Sequence, residues 1–212
     1  MKCLLTGKAF VSPDTIKNGD SMMSHRKLGV FGSAFDPPTL GHLDVLHQAA
    51  TCHDCILLVP SAFHAFDKKP LPLGLRLQML QCFIDEADAG CPLAVCDLEA
   101  ELLEQNPDRP VYTYDLMTAL TNKYRDKATL SFIRGPDNAR PETWTRFYKS
   151  QEIEEKWPIF TATERVAIRS SDVRNILESA KVADDLQQGL NMLLPSVQAF
   201  IINNNLYQTG NT

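Results

Sequence analysis

Residues Gly29–His42 read GVFGSAFDPPTLGH, and the reading of this stretch decides the fold. Leu28–Phe31 is a short apolar run that suits a buried strand, and Gly32–Ser33 break it at once. The strand therefore ends in a tight turn. Pro37–Pro38 hold the chain extended, and Thr39 can cap a helix whose apolar positions Leu43, Leu46 and Ala50 recur at helical spacing. A strand, a small-residue loop and a helix start in that order aim free backbone N–H groups and the positive end of a helix dipole at one point. Phosphate is held in this way. His42 lies on the first turn beside Gly41, which leaves room for a ligand. Its ring can there donate a hydrogen bond to a phosphate whose charge grows during reaction. A half-buried histidine that only caps its own helix is the competing reading.

Working outward, Cys55–Val59 (CILLV) is a continuous apolar run bounded by Pro60, the pattern of a parallel strand buried on both faces, and it completes a βαβ unit. Ser61–Pro72 is loop-like, carries His64, Lys68 and Lys69, and follows the strand's C-terminal end, where open parallel sheets bind ligands. A Pro- and Lys-bearing loop there is a candidate lid. Leu73–Ala87 reads as an amphipathic helix on Leu75, Met79, Phe83 and Ile84, and Leu93–Cys96 as a short strand. Asp97–Arg109 is acidic and irregular. A helix then opens with Thr113 as N-cap and Leu116, Leu120 and Tyr124 as its buried stripe. Ala128–Ile133 is the next strand, running into Arg134-Gly135-Pro136-Asp137-Asn138, with Trp144 and Phe147 following at helical spacing. Pro158–Thr161 reads as the last strand. Ser170 or Ser171 caps the helix start within Ile168–Arg174, IRSSDVR, and Arg174 offers a fork for a phosphate oxygen. Pro195–Leu206 closes the chain as a helix.

Composition bounds the function. The chain has 212 residues, 44% of them hydrophobic, enough for one domain with a proper core. A net charge of −5 argues against a general nucleic-acid binder, which needs a basic face. No apolar run is long enough to span a membrane and no signal-peptide core is present, so the expected location is the cytoplasm. Residues 1–27 lack apolar periodicity and read as a flexible extension ahead of a domain at 28–212, with Met22 or Met23 as an alternative translation start. Of six cysteines, Cys52 and Cys55 have C-x-x-C spacing, but no second ligand pair completes a zinc site and no metal ligands are assigned.

Residues 32–42 resemble the G-x-x-F-D-P-x-[HT]-x-G-H signature of the nucleotidyltransferase superfamily, and within it the chain is most similar to bacterial nicotinate-mononucleotide adenylyltransferases. The resemblance extends to Tyr112–Leu116 (Y-T-x-D-L), Phe132–Asp137 (F-I-x-G-x-D) and Ile168–Arg174 (I-S-x-T-x-I-R), with Ala34 and Arg169 departing from the usual hydroxyl residues and Thr39 from the commoner histidine. It implies an α/β fold with a Rossmann-like parallel sheet and helices on both faces, the nucleotidyltransferase fold. It also implies transfer of AMP from ATP to nicotinate mononucleotide, giving deamido-NAD and pyrophosphate, with Mg²⁺ carried on the triphosphate. His42, Thr39 and Lys68 are the implied catalytic residues. ATP would be met by Gly32, Ser33, Phe35, His42, Gly135, Asp137, Ile168, Ser170, Ser171 and Arg174, and the mononucleotide by Thr113 and Trp144. No nucleic-acid or membrane partner is expected, and a homo-oligomer is compatible with the chain. The rival readings are the same transfer onto nicotinamide mononucleotide or another phosphorylated acceptor, a non-catalytic nucleotide-sensing module, and a redox or zinc-linked interaction protein built on Cys52 and Cys55.

Overall fold

The computed structural model describes residues 26–62 and 70–207. Lys68, His64 and Lys69, with most of the expected lid, lie outside the described residues, as do residues 1–25. Strand β1 (Arg26–Ser33) begins two residues before the expected run, because Arg26 and Lys27 pair with Ala128 and Thr129 even though both are exposed. Helix α1 (Leu40–Ala49) is followed by β2 (Cys55–Pro60), α2 (Leu73–Glu86) and β3 (Leu93–Val95). Helix α3 (Leu98–Gln105) replaces the irregular segment expected there: Leu98 is buried and Glu99 and Glu101 sit favourably in its first turn. The chain continues through α4 (Thr113–Tyr124), β4 (Ala128–Arg134), the single turns α5 (Pro136–Ala139) and α6 (Pro141–Trp144), and α7 (Ser150–Lys156). It ends with β5 (Ile159–Thr161), α8 (Ser170–Ser179), α9 (Ala183–Leu190) and α10 (Pro195–Asn203).

Among the described residues the strands form one five-stranded parallel sheet in the order β3-β2-β1-β4-β5. Every residue of β2 is buried, as an apolar run covered on both faces must be. Ile56, Leu57 and Leu58 are at most 1% exposed, and each contributes about 1.5–3 kcal/mol by leaving water. One face is covered by α1, α2, α8, α9 and α10, packed through Leu46, Met79, Phe83, Val173, Leu190 and Val197. The other is covered by α3, α4, α6 and α7, through Leu98, Met117, Leu120, Trp144 and Ile153. The chain leaves β1 toward β2 on one side and returns to β4 on the other. The crevice at the carboxyl ends of β1 and β4 is therefore the topological switch point where such sheets take ligands.

Two buried charges tie the loops beside this crevice. Arg76, 1% exposed, donates to three carbonyls, Leu71 O at 2.9 Å, Ala34 O at 2.8 Å and Ser61 O at 2.8 Å, so one guanidinium joins the segments following β1 and β2 to the start of α2. Glu99 accepts from Ala62 N–H at 2.9 Å, and burial pushes its pKa up to about 7 against the opposing pull of that bond and of Arg76. A carboxyl that titrates higher in the folded state than in the unfolded chain holds its proton more tightly when folded. Its contribution to stability is present at acid pH and is lost as pH rises through about 7. Unfolding free energy should accordingly fall by about 2–3 kcal/mol between pH 4.5 and 8 on account of this group. Glu99→Gln, which keeps an acceptor for Ala62, should flatten that slope. Urea denaturation of both proteins across the range checks this, and parallel slopes would contradict it.

Candidate functional site

The turn between β1 and α1 is built from the cap inward. Thr39, fully buried, is the N-cap of α1, and His42 occupies the third helical position as the partner in a capping box. Thr39 N–H donates to His42 Nδ1 at 3.0 Å. A backbone N–H can only donate, so Nδ1 is the unprotonated nitrogen and the hydrogen of the neutral ring sits on Nε2. Nε2 lies 3.1 Å from Ser33 Oγ and donates to it. Burial lowers the His42 pKa to about 4, so the ring is a neutral, oriented donor at ordinary pH. The ring thus caps the helix through Nδ1, and its side chain also lines the cavity described next. Phe35 supports the ring from beneath. It is fully buried, 5.0 Å from the His42 ring and edge-on to Phe31 at 5.6 Å, with a left-handed φ of 48° that a bulky residue adopts only when its side chain is held by packing. Expected as a nucleotide contact, Phe35 is instead fully buried against the His42 ring and its side chain is not on the cavity wall.

His42 opens onto a cavity of about 430 Å³ at the switch point. Of the expected nucleotide contacts, Gly32, Ser33, Gly135, Asp137, Ile168, Ser170, Ser171 and Arg174 line it with His42. At Gly32 and Gly135 an added Cβ would meet nothing closer than 3.9 and 4.0 Å, so the protein does not need glycine there for its own packing. The bare backbone keeps space open to the cavity. Gly41 is different: its Cβ would lie 2.2 Å from Ile168 O, so α1 and the segment leading into α8 meet backbone to backbone. Ser170 Oγ donates to Pro37 O at 2.8 Å across the same seam. The N-cap of α8 is Arg169 and not Ser170 or Ser171, which are its first helical residues with exposed-end N–H groups. Likewise Tyr112, not Thr113, is the N-cap of α4.

Charge around the cavity is paired in a definite way. Arg169, unexpected here, donates to both oxygens of Asp137 at 2.9 and 2.8 Å and to Glu164 at 2.5 Å, and holds the Asp137 carboxyl below its usual range. With the Arg169 and Asp137 side chains 34% and 55% exposed, this pair stabilises by no more than about 1 kcal/mol and can yield to a ligand. Arg165 takes Asp44 at 2.6 Å. Arg174 donates to Asp36 O at 2.5 Å and stands 3.7 Å from its carboxylate, which also accepts from Tyr207 Oη at 2.7 Å. Asp36 is 3% exposed, so Tyr207→Phe, removing that donor from a buried carboxylate, should cost about 1.5–3 kcal/mol. An unchanged urea midpoint would contradict it. No motif pointed to Tyr207, because only tertiary packing brings it to a residue 171 positions away.

Two expected residues lie elsewhere. Thr113 and Trp144 are not on the cavity wall. Trp144 belongs to the core on the opposite face of the sheet, stacked on Phe132 at 6.0 Å and beside Phe147 at 4.8 Å, with the Arg134 guanidinium 4.6 Å over its ring. The cysteines among the described residues are all free, burial pushes Cys55 up to about 11, and among the described residues no three His, Cys, Asp or Glu side chains are placed to hold a metal ion. No described helix is long and apolar enough to cross a membrane.

The model of a family described as cytidylyltransferase-like matches residues 30–176. A probable nicotinate-nucleotide adenylyltransferase of Bacillus mycoides is 34% identical over 116 residues, an alignment covering 53% of this chain and 57% of that protein. The nicotinate-nucleotide adenylyltransferase of Bacillus subtilis is 26% identical over 208 residues, covering 87% of this chain and all of that protein. Among solved structures, a Vibrio parahaemolyticus protein assigned as a nicotinate-nucleotide adenylyltransferase superposes with a TM-score of 0.66 at 31% identity, over 84% of this chain and 99% of that one.

Proposed function

This chain belongs to the cytidylyltransferase-like family, and from that premise we propose that it is an adenylyltransferase joining ATP to nicotinate mononucleotide, in the biosynthesis of NAD. The observation that carries the reading is the His42 side chain. Its Nδ1 is fixed by the Thr39 cap, so its Nε2–H donates into a cavity rimmed by the bare backbone of Gly32 and Gly135 and by the N-terminus of α8. In the structure Ser33 Oγ takes that hydrogen bond; a phosphate oxygen would take it in the complex.

In the proposed reaction an oxygen of the mononucleotide phosphate attacks the α-phosphorus of ATP in line. A new P–O bond joins the two nucleotides as the bond to the β-phosphate bridging oxygen breaks, and pyrophosphate leaves with that electron pair. No covalent enzyme intermediate is needed. The protein positions two anions and stabilises charge on the transferring and leaving groups. His42 would serve the α-phosphate. Ser171 and Arg174 would serve the β- and γ-phosphates, together with Lys68 from outside the described residues. Asp137 would turn from Arg169 to the ribose hydroxyls at a cost within the small worth of that exposed pair. Mg²⁺ would arrive on the triphosphate, held by phosphate oxygens and water, since the cavity carboxylates Asp44, Asp137 and Glu164 are each paired with an arginine. Free thiols throughout the described chain are in keeping with a cytoplasmic enzyme.

The test is pyrophosphate release by purified protein with Mg–ATP, comparing nicotinate and nicotinamide mononucleotides and identifying the dinucleotide. Turnover with nicotinate mononucleotide supports the reading. ATP binding with no turnover on either acceptor would replace it with the nucleotide-sensing module.

A further inference from the structure

Resting on that adenylyltransferase reading, we infer that Tyr207 is a positioning residue for the triphosphate: its hydroxyl fixes the buried Asp36 carboxylate, and Asp36 in turn fixes the Arg174 guanidinium at the cavity wall. Tyr207 follows α10 and does not line the cavity. Its Oη donates to Asp36 Oδ1 at 2.7 Å, and Asp36 is 3% exposed. Arg174 Nη1 donates to the main-chain oxygen of the same aspartate at 2.5 Å and stands 3.7 Å from Oδ2. That nitrogen is committed to the fold. Nε and Nη2 of Arg174 have no hydrogen-bond partner among the described residues, and the side chain is 21% exposed on the cavity wall. A guanidinium held at one corner and open at the others is the form an arginine needs to grip a phosphate.

Stability alone does not account for this arrangement. A carboxylate, a guanidinium and a phenol buried together gain little over apolar side chains of the same volume, because each must first leave water. The backbone around them is also strained. Phe35 and Tyr207 have left-handed φ of 48° and 58°, a conformation that bulky residues keep only where their surroundings over-determine it. Phe35 precedes Asp36 in the chain and Tyr207 bonds its carboxylate, so both strained residues converge on one group. Strain of this kind collects at binding and catalytic sites. Burial and the neighbouring Asp36 carboxylate hold the Tyr207 phenol far above its usual pKa, so it remains a donor at every working pH. Arg76 is a second guanidinium near this carboxylate, but its N–H groups are committed to three carbonyls away from the cavity wall. Of the two, only Arg174 lines the cavity, so it carries the orientation of Asp36 to the site.

The test is calorimetric titration of purified protein with ATP and with AMP, which lacks the β- and γ-phosphates. Arg174→Gln should weaken ATP binding by about 10- to 100-fold, the range for losing a charge-assisted hydrogen bond. Tyr207→Phe keeps the ring, drops the hydroxyl and should weaken ATP by about 3- to 10-fold, the effect of a misplaced rather than a missing cation. Both should change AMP binding by less than about 2-fold, since neither group serves the α-phosphate. The double variant should bind ATP within about 2-fold of Arg174→Gln alone, because Tyr207 acts through Arg174. Asp36→Asn, which keeps an acceptor for Tyr207 and removes the charge, should give the same ATP-selective loss and decides the matter if Tyr207→Phe folds too poorly to titrate. A purely structural Tyr207 would lower the urea midpoint and leave the ATP affinity of the folded protein unchanged. That result, an equal loss for AMP, or a double variant in which the two losses add overturns the inference; with wild-type pyrophosphate release on nicotinate mononucleotide intact, the reaction still stands. No wild-type turnover on either acceptor fails the reaction itself, and the inference with it.

Discussion

Replacing His42 with alanine is expected to lower kcat for pyrophosphate release by about two to three orders of magnitude, the effect of removing one preorganised donor from a transferring phosphate. The magnitude follows from preparation rather than from charge. His42 is held neutral, with a pKa of about 4, and aimed by the Thr39 cap, so it does not reorganise when charge develops on the α-phosphate. Two consequences separate this from a general loss of fold. Between pH 5.5 and 8 the free enzyme's kcat/KM should show no inflection from His42, because its proton count does not change there. His42→Gln should recover the roughly 1 kcal/mol of capping lost in the alanine variant, since glutamine suits the third position of a capping box, without recovering the rate. Steady-state kinetics with urea denaturation of both variants reads the two effects apart. A near-normal rate in His42→Ala removes the residue from the mechanism.

Gly41→Ala should do comparable damage by another route. The added methyl carbon would lie 2.2 Å from Ile168 O and 3.2 Å from Ile168 C, and neither is the movable tip of a side chain. Backbone must shift, either by withdrawing the start of α1 or by pushing Ile168 away from it. We expect a loss of about 2–4 kcal/mol in unfolding free energy, the upper range for overpacking against fixed atoms. We also expect at least a 100-fold loss of kcat/KM, because His42 lies on one side of the seam and Ser170, Ser171 and Arg174 on the other. Gly32→Ala is the contrast. Its Cβ has 3.9 Å of clearance, so stability should hold within about 0.5 kcal/mol while ATP binding weakens. Equal stability of the two variants would show that the Gly41 contact relaxes freely.

The site was legible in the sequence where the chain is its own context. Thr39 capping α1, His42 on the first turn and an all-buried β2 follow from neighbours a few residues away, and the structure bears out all three. Reading was weaker where two local explanations were equal. The caps of α4 and α8 fell on Tyr112 and Arg169, one residue earlier than the hydroxyl residues suggested, because neither cap makes a side-chain bond and the preceding backbone alone sets the helix start. The helix at Leu98–Gln105 was hidden by its acidic composition; the burial of Leu98 against the second core holds it.

By itself the sequence determined a parallel α/β chain with a strand, tight turn and capped helix at residues 28–42 and a second helix start near residue 170, because strand burial, tight turns and caps are short-range properties. Only the tertiary structure decided the rest. It put Ile168 against Gly41, Tyr207 on Asp36, Arg169 on Asp137, and Arg134 over a Trp144 that packs across the sheet from the cavity. These contacts join residues 10 to 171 positions apart. Which partner a buried charge or ring finds depends on how helices pack across both faces of the sheet, and no local pattern encodes that choice.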